Sequence, residues 1–208
     1  MTNKHIVLLG DSIFDNAPYV TPGQAVIHHL QRIIPSDSKA TLLATDGDVT
    51  ADIERQFRQI PQDATHIYIS VGGNDALSAL STFDLPVDTV EGALSILHEV
   101  RESFRLRYRA MLERVLAVNL PLAVCTIYDA IPGLSIEAQT ALSLFNDTIS
   151  REAAVAQVSV IDLRLVCTEA GDYSTMSPIE PSEQGALKIA MAMAAEIAGQ
   201  SNLQALVF

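Results

Sequence analysis

Three short motifs in this 208-residue chain carry groups that acyl transfer needs, and each follows an apolar run. Gly10-Asp11-Ser12 comes directly after His5 to Leu9, and a serine hydroxyl becomes a nucleophile once a neighbouring base takes its proton. Asp46-Gly47-Asp48 comes after Ala40 to Ala44 and offers a backbone N–H at a glycine. Gly72-Gly73-Asn74-Asp75 comes after His66 to Val71; its glycines let backbone approach a ligand closely, and the Asn74 carboxamide adds N–H donors without charge. Taken singly, each motif also suits an ordinary turn or helix cap. Taken together they supply one hydroxyl and two donors for the oxyanion of a tetrahedral intermediate, a donor in such a site contributing about 3 to 4 kcal/mol.

Groups this far apart in sequence meet only if the elements between them bring the three loops to one edge. The apolar runs at His5 to Leu9, Ala40 to Ala44, His66 to Val71, Leu120 to Cys125 and Val158 to Ile161 read as strands buried on both faces. Between them, Val26, Ile27, Leu30, Ile33 and Ile34 share a helical face, as do Phe104, Tyr108, Met111, Leu112, Val115 and Leu116. Ile53, Phe57 and Ile60 give a shorter helix, and two more are expected from Ser135 to Val155 and from Ser182 to Ala198. Five such alternations predict an α/β fold: a three-layer αβα sandwich, flavodoxin-like, around a five-stranded parallel sheet. With no linker in the sequence, residues 1–208 are expected to form one domain, with a core over about 4–199 and a short C-terminal tail. In such a sheet ligands bind outside the carboxyl ends of the strands, where all three motifs fall. Tyr128, after the fourth strand, falls there too, and with Asp11 and Asp75 is expected on the substrate side.

In order and spacing, Gly10-Asp11-Ser12, Gly47 within Asp46-Gly47-Asp48, and Gly72-Gly73-Asn74-Asp75 resemble the first three sequence blocks of the SGNH/GDSL hydrolases. The resemblance implies that Ser12 is the nucleophile, and that its own N–H, the Gly47 N–H and the Asn74 side chain form the oxyanion hole. The family's last block, Asp-x-x-His, is replaced. Ser177-Pro178-Ile179-Glu180-Pro181 aligns with it, so that Ser177 stands at the aspartate position and Glu180 at the histidine position. His5 and His66 begin strands, at the wrong end of the sheet, while His28, His29 and His98 lie in helices. An unperturbed glutamate is about 2 pH units more acidic than histidine and as a proton acceptor gives up about 3 kcal/mol. Burial among Pro178, Ile179 and Pro181, or crowding by Asp11, Asp15 and Asp172, would recover part of that. Glu180 therefore has three readings: a direct base for Ser12, a residue that orients water, or a surface acid. The corresponding functions are a serine hydrolase of small esters or related acyl compounds, and a catalytically silent relative that binds a ligand or partner.

A net charge of −12 disfavours nucleic acid and anionic membrane surfaces, which bind through Lys and Arg. No cofactor or metal is expected: there is no phosphate-cradling glycine motif, and Asp11, Asp15 and Glu180 read as loop-end acids rather than a cation site. Arg101, Arg105, Arg107, Arg109 and Arg114, interleaved with Glu102 and Glu113, are expected on a solvated helix face. Cys125 and Cys167 are expected as reduced, buried thiols, and the residues before Gly10 are too few for a secretion signal, so that a cytoplasmic location is expected.

Overall fold

Strand β1 (His5–Gly10) is buried at every position, and its alternation divides the core in two. Ile6 and Leu8 point to one face of the sheet and Val7 and Leu9 to the other, as the period of two requires. The computed structural model describes residues 3–199; the expected tail after 199 lies outside the described residues. Strands β2 (Lys39–Leu42), β3 (His66–Ser70), β4 (Leu122–Cys125) and β5 (Ser159–Ile161) join β1 in one all-parallel sheet of order β2-β1-β3-β4-β5.

Helices α1 (Val26–Ile33) and α7 (Glu183–Ile197) pack together over the Ile6 and Leu8 face. On the other face lie α2 (Ile53–Phe57), α4 (Val90–Leu116) and α5 (Ile136–Ala156), with the Phe104 ring against Phe145 at 4.8 Å. Two short helices, α3 (Gly73–Ala79) and α6 (Leu163–Val166), follow β3 and β5. Ser135, Thr89 and Ser182 cap α5, α4 and α7 by accepting hydrogen bonds from backbone N–H groups of the first turn. The expected three-layer architecture is the one observed. Among the described residues no helix is long and apolar enough to cross a membrane.

Two features place the site. The chain winds from β1 to β2 on one side and then returns to β3 on the other, so the loops after β1 and β3 flank the switch point where such sheets bind ligands. Helix α4 is also longer than its buried stripe, with 27 residues spanning about 40 Å. The Phe104 ring lies beneath Gly72, at the carboxyl end of β3, so residues 90–103 overhang that edge. Ala93, Leu97 and Val100 continue the Phe104 stripe through this half at helical spacing but are only half-buried, while Val90 and Leu94 are exposed.

Candidate active site

The loop after β1 turns sharply at Gly10, whose φ of +135° and near contact with β3 admit no side chain. A Cβ there would stand 1.9 Å from the Ser70 carbonyl oxygen. Asp11 N–H donates to that same oxygen at 3.0 Å, and the Asp11 carboxyl accepts from Ile13 N–H at 3.1 Å, which fixes the turn around Ser12. Hydrogen bonds then stitch the three loops together. Thr45 N–H donates to the Gly10 carbonyl and Asp46 N–H to the Asp15 carboxylate, each at 3.0 Å, and Asn74 Nδ2 donates to the Asp48 carbonyl at 3.0 Å. Among the described residues, the N–H groups of Ser12 and Gly47 and the second N–H of the Asn74 carboxamide have no hydrogen-bond acceptor.

Glu180 reaches the same edge from the loop before α7, and four backbone atoms hold that loop. Glu180 N–H donates to the Ser177 carbonyl at 3.0 Å, and its own carbonyl accepts from Ser174 N–H at 2.8 Å. The Tyr128 hydroxyl donates to the Ile179 carbonyl at 2.6 Å and Asn16 Nδ2 to the Pro181 carbonyl at 3.3 Å. Orientation thus comes from the main chain, with Ser177 contributing its carbonyl where the family has an aspartate side chain. The Glu180 side chain is buried, and its Oε2 has no hydrogen-bond partner among the described residues.

Burial pushes the Glu180 carboxyl up to about 7; the nearby Ser12 hydroxyl works against that rise and the Asp46 charge adds to it. The hydroxyl is thus close enough to favour the charged carboxylate, yet no hydrogen bond of regular geometry joins the two. Burial likewise pushes Asp11 up to about 8, with the Ile13 N–H opposing and the charges of Glu180 and Asp75 contributing. Asp172, expected to crowd this edge, does not: its carboxylate is taken by Lys188 at 2.8 Å.

Ser12, Asn74, Glu180, Asp11 and Tyr128 all line one groove, a space of about 1020 Å³ open to solvent, walled by α3, the overhang of α4 and the start of α5. Gly47 does not line it: this glycine is exposed, with φ +84°, in the loop that Asn74 ties to the third loop through the Asp48 carbonyl. Asp75 does not reach the groove. Its carboxylate accepts from the Thr50 N–H and hydroxyl, both at 2.9 Å, and lies 3.4 Å from Arg107, so it ties the third loop to the second. None of the five histidines lines the groove; His5 is bound to Asp63 and Thr41 at the far end of the sheet. The expected solvated arginine face holds only in part, because Arg101 lines the groove and Arg109 pairs with buried Glu152. Cys125 and Cys167 are free and buried.

Three buried amides escaped the sequence reading. Gln56 bridges the Gly10 N–H and carbonyl, 2.7 Å each, and also donates to Asp48. Asn146 bridges the Ile127 N–H and carbonyl, 2.8 Å each, in the loop after β4. Asn16 joins the Glu180 loop to the start of α1 by accepting from Val26 N–H. Gln56 and Asn146 had one usable signal: a carboxamide one turn or less from Ile53 or Ile149, on an otherwise apolar helix face.

Solved structures share this fold over nearly the whole chain. An α/β hydrolase, LAE5, from a Lake Arreo metagenome superposes with a TM-score of 0.71 at 15% identity, covering 96% of each chain. The lipase Lip_vut3 from a goat rumen metagenome gives 0.69 at 21% identity, covering 95% of this chain and 98% of its own. The lipase/acylhydrolase from Enterococcus faecalis gives 0.68 at 20% identity, with 95% and 96% covered. No curated protein matches the chain at a significant level. The model of the GDSL-like lipase/acylhydrolase family matches residues 8–187, and the chain belongs to that family.

Proposed function

We propose that the protein is a serine hydrolase of small esters or related acyl compounds in which Glu180 does the work of the missing histidine. The observation that supports this reading is that the Ser12 hydroxyl, the Asn74 carboxamide with one uncommitted N–H and a buried, weakly acidic carboxyl line one groove, with the uncommitted Gly47 N–H in the adjoining loop. A base works best when its pKa lies near the working pH, and burial gives Glu180 roughly the basicity of a free imidazole.

In the first half-reaction Glu180 takes the Ser12 proton as the hydroxyl oxygen bonds to the acyl carbon. The carbonyl electron pair moves onto oxygen, where the N–H groups of Ser12 and Gly47 and the Asn74 carboxamide receive it. Collapse breaks the ester C–O bond, and Glu180 returns the proton to the departing alcohol. Water then repeats the sequence on the Ser12 acyl ester: Glu180 takes its proton, the tetrahedral intermediate forms and collapses, and Ser12 recovers the proton as the carboxylic acid leaves. The product ionises beside Glu180, which the last step leaves as a carboxylate and whose charge favours its departure.

A second reading, a silent relative that keeps the groove for binding, is favoured by the absence of any hydrogen bond fixing the Glu180 carboxyl. Incubation with a 4-nitrophenyl alkylphosphonate and mass spectrometry decides between them. Phosphonylation of Ser12, abolished in Glu180→Gln, supports the dyad; an unlabelled, folded protein overturns it. Glu180→His with Ser177→Asp then asks whether a restored imidazole pair raises esterase activity, as a silent groove awaiting its base would require.

A further inference from the structure

The groove leading from Ser12 is apolar almost throughout. Val71, Ile127 and Phe145 lie along it, and Leu77, Leu80 and Phe83 line it while remaining exposed. Three of its lining residues are charged: Asp11 and Glu180 beside the nucleophile, and Arg101 on the overhang of α4. A guanidinium in such a wall needs a reason, and its local partners do not provide one. Arg101 Nη2 donates to Glu102 at 3.0 Å and lies 3.5 Å from His98 Nδ1, but its Nε is buried with no acceptor among the described residues. Buried N–H groups without partners are uncommon in folded proteins. Glu102 is moreover shared with Arg105 at 2.7 Å, and Arg105 and Arg109 share Glu152 at 3.7 and 2.7 Å. Glu102 is thus the one ion-pair partner of Arg101 among the described residues, and it is shared.

We propose that the groove selects acyl chains carrying a distal carboxylate, with Arg101 as the residue that holds it, so that the preferred substrates are half-esters of unbranched dicarboxylic acids. The inference rests on the reading of Ser12 as the acyl-transfer site. The methylene chain takes the apolar walls, and the carboxylate meets the Arg101 guanidinium, the one cationic group among the described residues lining the groove, in a charge-assisted hydrogen bond. Orientation follows from charge: Arg101 is the cationic group of the groove, and a further negative charge is disfavoured at the other end, where the charge of Glu180 already raises the Asp11 pKa, so the ester end lies beside Ser12. A neutral chain of equal length leaves the Arg101 guanidinium facing apolar atoms, and a site built around a polar partner rejects the analogue that lacks it.

Two series test this on the intact protein: mono-4-nitrophenyl esters of dicarboxylic acids and 4-nitrophenyl alkanoates of matching length. At the best length the charged chain is expected to be preferred in kcat/KM by about tenfold or more, and Arg101→Gln, which keeps a donor for Glu102, brings the ratio close to one. A ratio at or below one in the wild type overturns the proposal, as does a ratio that Arg101→Gln leaves unchanged. Calorimetric binding of the matching uncleavable half-amides separates this from failure of the hydrolase reading. If no ester turns over, tighter binding of the carboxylated amide, lost in Arg101→Gln, still supports the groove assignment, and equal binding of charged and neutral amides overturns it.

Discussion

Buried carboxylates are treated in opposite ways in two regions of this molecule. On the flanks, Glu152 sits between α4 and α5 with Arg109 at 2.7 Å, and Asp172 lies against α7 with Lys188 at 2.8 Å. At the carboxyl edge of the sheet, Asp11 and Glu180 are as well buried, yet neither forms an ion pair among the described residues. A buried charge without a partner costs several kcal/mol, and a carboxyl so placed answers by holding its proton to higher pH. The flank acids therefore act as locks between helices, whereas the edge acids stay poised to exchange protons. A chain under selection for stability alone would have supplied them with cations or replaced them.

Removing an edge acid gives the largest expected effect and tests the contrast directly. Glu180→Gln is expected to lower kcat/KM for a simple 4-nitrophenyl ester by about 10² to 10⁴, the usual contribution of a general base. The same change is expected to stabilise the protein in alkali. The Glu180 pKa is raised from 4.5 to about 7, so the folded state binds this proton more tightly than the unfolded chain does. The associated stability is complete below pH 4.5, is lost as pH rises through about 7, and amounts to at most about 3 kcal/mol. Thermal unfolding should find the variant ahead of wild type at pH 9 and level with it at pH 4. A variant poorer in both activity and alkaline stability would place Glu180 with the flank locks.

A flank lock should respond with the opposite sign. Lys188→Met leaves the Asp172 carboxylate buried with only the Glu169 N–H and Gln184 for partners, and is expected to cost about 3 kcal/mol. Adding Asp172→Asn removes the stranded charge and should restore most of the loss, which denaturant unfolding of the two variants measures as a coupling. Full additivity would mean that the pair contributes nothing as a pair.

The same contrast explains what could be read before any coordinates. All five strands were legible as short apolar runs, but burial on both faces holds only for β1, β3 and β4; the edge strands β2 and β5 are partly exposed, having one neighbour each. Ser12 and Asn74 could be placed at one edge because they follow such runs. Glu180 was found by alignment to a motif, but its high pKa depends on burial by residues such as Tyr128 and Ile179, which no local pattern reports. Asp75 looked like a substrate ligand because it sits in a glycine-rich loop; whether a loop carboxylate turns outward or back to Thr50 is a tertiary matter. The first half of α4 was missed although Ala93, Leu97 and Val100 extend the Phe104 stripe; Val90 and Leu94, exposed on the same segment, blur its periodicity.

The amide bridges join the two regions, and breaking one should have an intermediate effect. Gln56→Ala strands the Gly10 N–H and one bond to its carbonyl in a buried setting, at an expected cost of about 2 kcal/mol. Because Gly10 carries Ser12, activity should fall further than the loss of folded protein explains, in kcat more than in KM. Equal loss in both would make Gln56 a fastener of the core and nothing more.

The smallest expected effect is the most specific to the edge. With Glu180 as the base, kcat/KM should rise with pH through about 7, since only the charged carboxylate accepts a proton. The negative charge of exposed Asp46 disfavours that ionisation, so Asp46→Asn should move the acid limb to lower pH, by a fraction of a unit. Salt should do the same in the wild type, because an exposed charge is screened over about 10 Å at 0.1 M ionic strength. In Asp46→Asn the salt response should shrink, its main source having gone. A limb that ignores both the substitution and the salt would mean that the titrating group is not the carboxyl beside Ser12, and the edge acids would lose the role that separates them from the flank.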